Sequence, residues 1–206
     1  RGGNETGVYS PKYDIYNESR LTLMADLRKA LQQNQTMLYY QPKQDLETGH
    51  IVGVEALIRW HHAERGWVNP VEFIPLAEET GVITQLTRWV IAQAAKDLAD
   101  LHQDNPELTI AINISARDLE STGLHSTLGL ALERNGLQAR SVTLEITETA
   151  AMFDPARSLQ ALNVLAELGH PISIDDFGSG YSSLSYLKQL PAFELKLDRS
   201  LIHDIC

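Results

Sequence analysis

The chain has 206 residues, 43% of them hydrophobic, which suffices for one domain with a substantial core. Its net charge of −10 comes without the basic stripe that a sequence-independent grip on DNA or RNA polymers requires, and no run of about 18 apolar residues is present to span a membrane. The one cysteine, Cys206, excludes an internal disulfide and fits a reducing, cytoplasmic setting.

Residues 1–16 begin with the polar run Arg1-Gly2-Gly3-Asn4-Glu5-Thr6-Gly7 and read as a linker or the tail of an upstream domain, not as a signal peptide. A helix is expected from Asn17 to about Gln33, where Leu21, Met24, Leu27 and Leu31 recur at helical spacing. Met37 to Lys43 reads as a strand, and a turn at Glu47-Thr48-Gly49 returns the chain as a second strand, Ile51 to Trp60. The connection is too short for a crossover, so this pair is antiparallel. The adjacent His61 and His62 read as surface or edge residues, and the seven histidines show no zinc spacing. Pro70 to Ala77 forms a short helix that ends at Gly81, and a long helix runs from Ile83 to about His102. Strand and helix then alternate. A strand ends at Ser115 and precedes a helix from Ser126 to Arg134, stopped by Gly136. Another ends at Thr147, before a helix from Pro155 to Leu168. A third ends at Asp176, before Gly178-Ser179-Gly180 and a short helix, Ser183 to Leu190. Phe193 to Asp198 is the last strand, and Ser200 opens another helix.

In four strands large aliphatics alternate with small or polar residues. Ile110, Ile112 and Ile114 oppose Thr109, Ala111, Asn113 and Ser115; Val142, Leu144 and Ile146 oppose Thr143, Glu145 and Thr147. Ile172 and Ile174 oppose Ser173 and Asp175, and Phe193, Leu195 and Leu197 oppose Glu194, Lys196 and Asp198. A side-chain period of two gives each strand one greasy face, to be covered by helices, and one polar face. The polar faces converge in an α/β barrel whose chemistry lies at the strand C-termini. Six strands are legible where a closed TIM-like (β/α)8 barrel needs about eight, so the expected fold is such a barrel with an antiparallel first strand, truncated after the sixth strand.

Glu55, Glu145, Asp175 and Asp176 crowd one mouth of that barrel. Carboxylates within about 4 Å repel by roughly 4 kcal/mol per pair at an effective dielectric of 20, so these are partly protonated or hold cations. Asn113 adds a neutral oxygen suited to hard ions such as Mg²⁺ or Mn²⁺. Asp175 and Asp176 leave their strand in different directions and suit two ions side by side, an arrangement used to cut phosphodiesters.

The segments carrying these residues resemble the EAL family of bacterial cyclic di-GMP phosphodiesterases. The shared motifs are Tyr40-Gln41-Pro42, Glu55-Ala56-Leu57-Ile58-Arg59-Trp60, Phe73-Ile74-Pro75-Leu76-Ala77-Glu78 and Asn113-Ile114-Ser115. They continue through Glu145-Ile146-Thr147-Glu148, Asp175 to Leu184 and Lys196-Leu197-Asp198-Arg199-Ser200, so the resemblance covers about residues 20–206. It implies hydrolysis of cyclic di-GMP to linear pGpG with Mg²⁺ or Mn²⁺, two ions per site, in a homodimeric domain of a larger cytoplasmic or membrane-tethered signalling protein. Carried over by position, Glu55, Asn113, Glu145 and Asp175 hold the first ion, and Asp175 with Asp176 the second. Glu55, Asp176 and Lys196 are the catalytic residues, Lys196 touching the attacking water or the phosphate. Gln41, Leu57, Arg59 and Asp198 bind substrate, and Glu148 anchors the loop after Asp176. Ser179 stands where the family usually has Thr. A further glutamate in a Glu-Gly-Val-Glu-like motif and a Gln-Gly pair follow the lysine strand in the family and are not contained in the sequence up to Cys206. Residues 1–16 also faintly resemble the end of a GGDEF diguanylate cyclase domain, alongside their reading as plain linker. The alternative function is a receptor that binds cyclic di-GMP without cleaving it.

Overall fold

The computed structural model describes residues 11–33, 35–178 and 184–202. Helix α1 (Pro11–Gln32) leads into β1 (Thr36–Gln44) and β2 (Ile51–His62), followed by a short β3 (Gly66–Val68), α2 (Pro70–Thr80) and α3 (Ile83–Leu101). Then come β4 (Thr109–Asn113), α4 (Ala116–Glu120), α5 (Leu124–Asn135), β5 (Val142–Thr147), α6 (Glu148–Phe153) and α7 (Pro155–Glu167). The rest is β6 (Ile172–Phe177), α8 (Leu184–Leu187), β7 (Glu194–Leu197) and α9 (Arg199–Ile202).

The strands form one sheet in the order β1-β2-β4-β5-β6-β7, with β3 paired to β2. β1 runs antiparallel to β2, and every later neighbour in that order is parallel. This is an α/β fold with the wall of a TIM-like barrel and an antiparallel first strand. The greasy strand faces meet the helices as their periodicity requires: Ile110, Ile112, Val142, Leu144, Ile146, Ile172 and Ile174 are all buried. Leu86, Val90, Ala94 and Leu98 from α3 and Leu128 and Leu132 from α5 belong to the same core.

Caps set the loops that carry the site. Asn69 accepts the Val71 amide and Pro70 occupies the first turn of α2, while Gly81 closes it in the left-handed conformation at φ 75°. Ser115 is no strand residue. It caps α4 in a reciprocal box with Asp118, so β4 ends at Asn113. Thr147 likewise ends β5 by capping α6 through the Ala150 amide.

Several expectations are corrected. The first helix begins at Pro11 rather than Asn17, and three elements had no strong periodic signal: β3, α4 and α6 span only three, five and six residues. His62 is buried. Its Nδ1 accepts the amides of Glu64 and Arg65, and its Nε2 lies 3.3 Å from Asp26, which makes it the brace of the β2–β3 turn against α1. On β7 the outward Phe193, Leu195 and Leu197 stay exposed, unlike the aliphatics of β4 to β6. The expected start of the short helix at Ser183 and the loop from Ser179 lie outside the described residues.

Candidate functional site

Adjacent strands of a tilted sheet are staggered, so residues at different places along their strands meet at one level. Glu55 pairs across with Ala111, which puts Asn113 one step diagonally above it. Asn113 sits level with Glu145, and Glu145 with Ser173, which leaves Asp175 a further step along. The carboxylates are therefore not at equivalent strand ends; Glu55 lies within β2 and Glu145 within β5. Diagonal neighbours on one sheet face lie within reach of long side chains, and these converge.

Ligand oxygens of Glu55, Glu145 and Asp175 lie within 4.8 Å of one another. Asn113 Nδ2 donates to Glu55 Oε1 at 2.9 Å, which fixes the amide beside the cluster. Lys196 reaches in from β7 and donates to all three carboxylates, at 3.0 Å to Glu55, 3.1 Å to Glu145 and 2.9 Å to Asp175. Burial pulls the Lys196 ammonium towards deprotonation, but the Asp175 hydrogen bond, the Glu145 charge and the hydrogen bonds to Glu55 and Glu145 outweigh it and hold the proton tightly. Glu145 is fully buried, and desolvation followed by the Glu55 charge pushes its carboxyl up, against the pull of Lys196 and Lys43.

Lys43 and Glu194 belong to this network although no motif pointed to them. Lys43, on β1, donates to Glu194 of β7 at 2.8 Å and lies 3.4 Å from Glu145. Burial opposes the charge on Glu194, and the Lys43 hydrogen bond overcomes it, so the carboxyl titrates below its usual range. The signal was present in the period of two: Lys43 shares a face with Gln41, and Glu194 with Lys196.

Asp176 has φ 53°, the one described non-glycine residue in the left-handed region, where the β6–β7 register also shifts. The Asp176 amide donates to Asp175 Oδ1 at 2.8 Å. Partial burial, then the Asp175 and Asp198 charges, raise the Asp176 carboxyl above the ordinary range. Glu148, buried at the head of α6, accepts the Gly178 amide at 2.7 Å. Asp198 is not brought into the cluster; it caps α9 by accepting the Ser200 amide at 2.8 Å and hydroxyl at 2.5 Å. Gln41 is exposed opposite Glu55, while Leu57 and Arg59 lie one and two steps along the same face of β2. The Arg59 guanidinium sits over the Tyr39 ring, 5.5 Å from its centroid.

The donor set suits a hard divalent cation: three carboxylates of different strands beside the Asn113 amide, with no thiolate or imidazole. An ammonium already bridges the three acids, so that point of the mouth favours positive charge.

Comparison with known proteins places this geometry in a family. Residues 24–206 match the EAL domain. The chain is 44% identical over all its 206 residues to the bifunctional diguanylate cyclase/cyclic di-GMP phosphodiesterase MucR of Pseudomonas aeruginosa, covering 30% of that protein. It is 42% identical over 205 residues to the cyclic di-GMP phosphodiesterase NbdA of the same organism, covering 26% of it. It therefore spans less than a third of the length of these curated relatives. A solved complex of the MucR phosphodiesterase with c-di-GMP superposes with a TM-score of 0.83 at 45% identity, over 89% of this chain and 75% of that one. Similarity along almost the whole sequence and in the strand arrangement around Glu55 makes the chain a member of the EAL domain family.

Proposed function

We propose that this chain is a metal-dependent phosphodiesterase domain that hydrolyses one phosphodiester bond of cyclic di-GMP to give linear pGpG. The observation that carries the reading is the meeting of Glu55, Glu145 and Asp175 within 4.8 Å, beside Asn113, at one opening of the sheet. The relatives MucR and NbdA are named as cyclic di-GMP phosphodiesterases, which supports the substrate.

Glu55, Asn113, Glu145 and Asp175 would hold one Mg²⁺ or Mn²⁺, and Asp175 with Asp176 a second. Bound there, such ions polarise the phosphate and lower the pKa of a bound water. Asp176, with its raised proton affinity and exposed position, would take the proton of the attacking water as the P–O3′ bond breaks, and O3′ would leave as a hydroxyl protonated from solvent. Lys196 balances the carboxylates and faces the developing negative charge. Arg59 grips a phosphate in a protein that is otherwise strongly acidic, with Gln41, Leu57 and Asp198 along the groove. Glu148 tethers the loop that begins at Gly178 and so steadies Asp176.

The domain acts in the cytoplasm as a homodimer within a longer bacterial signalling protein. Among the described residues no helix is long and apolar enough to cross a membrane. The test is turnover of cyclic di-GMP with Mg²⁺, with Mn²⁺ and with EDTA. Linear product that requires metal is expected, and Glu55→Ala abolishes it while leaving the fold intact. Tight binding with no product under any condition would replace the enzyme by the receptor reading.

A further inference from the structure

Glu55 is only the first residue of a longer functional face. Odd-numbered residues of β2 share it, so Leu57, Arg59 and His61 follow at about 7, 13 and 20 Å along the strand. The partner strands extend the same face: Tyr39 pairs with Leu57 from β1, and Trp67 pairs with His61 from β3. The rings touch. Tyr39 and Trp67 are edge to face at 6.1 Å, and His61 and Trp67 at 5.1 Å. Both large rings are about half exposed, Tyr39 at 49% and Trp67 at 56%.

From this geometry we infer that Tyr39 and Trp67 form a stacking shelf for a purine base of the bound nucleotide, with Arg59, which lies between the two rings along β2 and sits over the Tyr39 ring, as the phosphate contact. The inference rests on the nucleotide reading above and extends it to the base. Exposed aromatic rings beside a guanidinium, continuous with an anion-handling mouth, are the elements that hold nucleotides by stacking and charge. Leu57 supplies an apolar floor between the mouth and the rings. β3 sends Val68 into the core and places Trp67 against Tyr39 on the opposite face. The shelf reads the π-face and not the base edge, so it contributes affinity more than choice of base.

The experiment compares wild type with Tyr39→Ala, Trp67→Ala and the conservative Trp67→Phe, in turnover of cyclic di-GMP and in Mn²⁺ titration, in which no aromatic ring of a ligand takes part. Each alanine variant is expected to raise KM for cyclic di-GMP about tenfold, leave Mn²⁺ affinity unaffected, and melt as wild type. Trp67→Phe keeps most of the affinity. Independently of turnover, cyclic di-GMP is titrated against tryptophan fluorescence with Mg²⁺ and with EDTA. Trp60 is buried and Trp89 packs against the core from α3, so the exposed Trp67 should supply the quenched signal that Trp67→Phe removes. KM unchanged within twofold in both alanine variants overturns the shelf, as does quenching that survives Trp67→Phe. A concentration-dependent mass lost in Trp67→Ala with unaltered KM makes the face a self-association surface instead, which also overturns it. Failure of wild type to cleave cyclic di-GMP counts against the phosphodiesterase reading, and the fluorescence titration then still decides the shelf.

Discussion

At the scale of single residues, Lys196 is the most revealing. A lysine near acids is often a weak surface partner, but this one serves three carboxylates at once, and Glu145 is wholly buried. Removing the shared cation leaves repelling acids in a poorly solvated place. Lys196→Met is expected to destabilise the metal-free protein by roughly 3 kcal/mol, a fall in Tm of about 6–12 °C. Mg²⁺ should restore much of it, because the same oxygens then gain another cation. Thermal melts with and without Mg²⁺ check this, and equal melting of variant and wild type in EDTA would contradict the counter-ion role. With metal bound, turnover by the variant should fall by about 10²–10⁴. Asp176 illustrates another case, in which a backbone in a costly conformation carries an acid that still feels the charge of its neighbour Asp175.

At the scale of elements, caps decide where strands stop. Asp118 is buried and accepts from Thr87 Oγ1 at 2.8 Å, Ser115 Oγ at 2.6 Å and the Ser115 amide at 3.1 Å. It ties α3 to the turn immediately after Asn113. Asp118→Ala should cost about 1–3 kcal/mol and weaken metal binding through Asn113, measured by denaturant melts and Mn²⁺ titration. His170, buried just before β6, hydrogen-bonds the Val142 carbonyl through Nδ1, and burial pushes its pKa below 6.5. In the unfolded chain it protonates near 6.5, while the folded chain resists the proton. Its stabilising contribution is therefore full above about pH 6.5 and is lost as pH falls through the window below, by at most about 1.4 kcal/mol per pH unit. His170→Gln should flatten the stability curve between about pH 6.5 and 5 in urea melts; an unchanged slope would remove His170 as its cause.

At the scale of the whole molecule, the sheet curls until its first and last strands communicate. Lys43 of β1 and Glu194 of β7 meet at 2.8 Å although they are 151 positions apart. Both are about 30% exposed, so the pair is worth modest energy. A double-mutant cycle of Lys43→Met with Glu194→Gln should give a coupling of about 0.5–1 kcal/mol that shrinks with salt. Zero coupling at low ionic strength would mean the strands are held by packing alone.

Much of this architecture was legible because its signals are local. Alternation of aliphatic and polar residues specified β4, β5 and β6 and their inward faces, and Gly81 and Gly136 marked helix ends by their tolerance of positive φ. The chemical types of Glu55, Asn113, Glu145 and Asp175 were enough to suggest hard-cation chemistry. Other features depend on pairings between distant segments. The period of two says which face a residue occupies but not how far neighbouring strands slide, so the register that brings Glu55 within reach of Glu145 one step along appears only in the sheet. Burial of His62 required α1 to lie against the β2–β3 turn, and the Tyr39–Trp67 contact required a three-residue strand too short for any pattern. Chain order by itself thus determined the inward faces and the donor chemistry, since adjacent covalent neighbours impose both. Only folding decided which donors share a cation, because strand register is a long-range choice settled by the packing of the whole sheet.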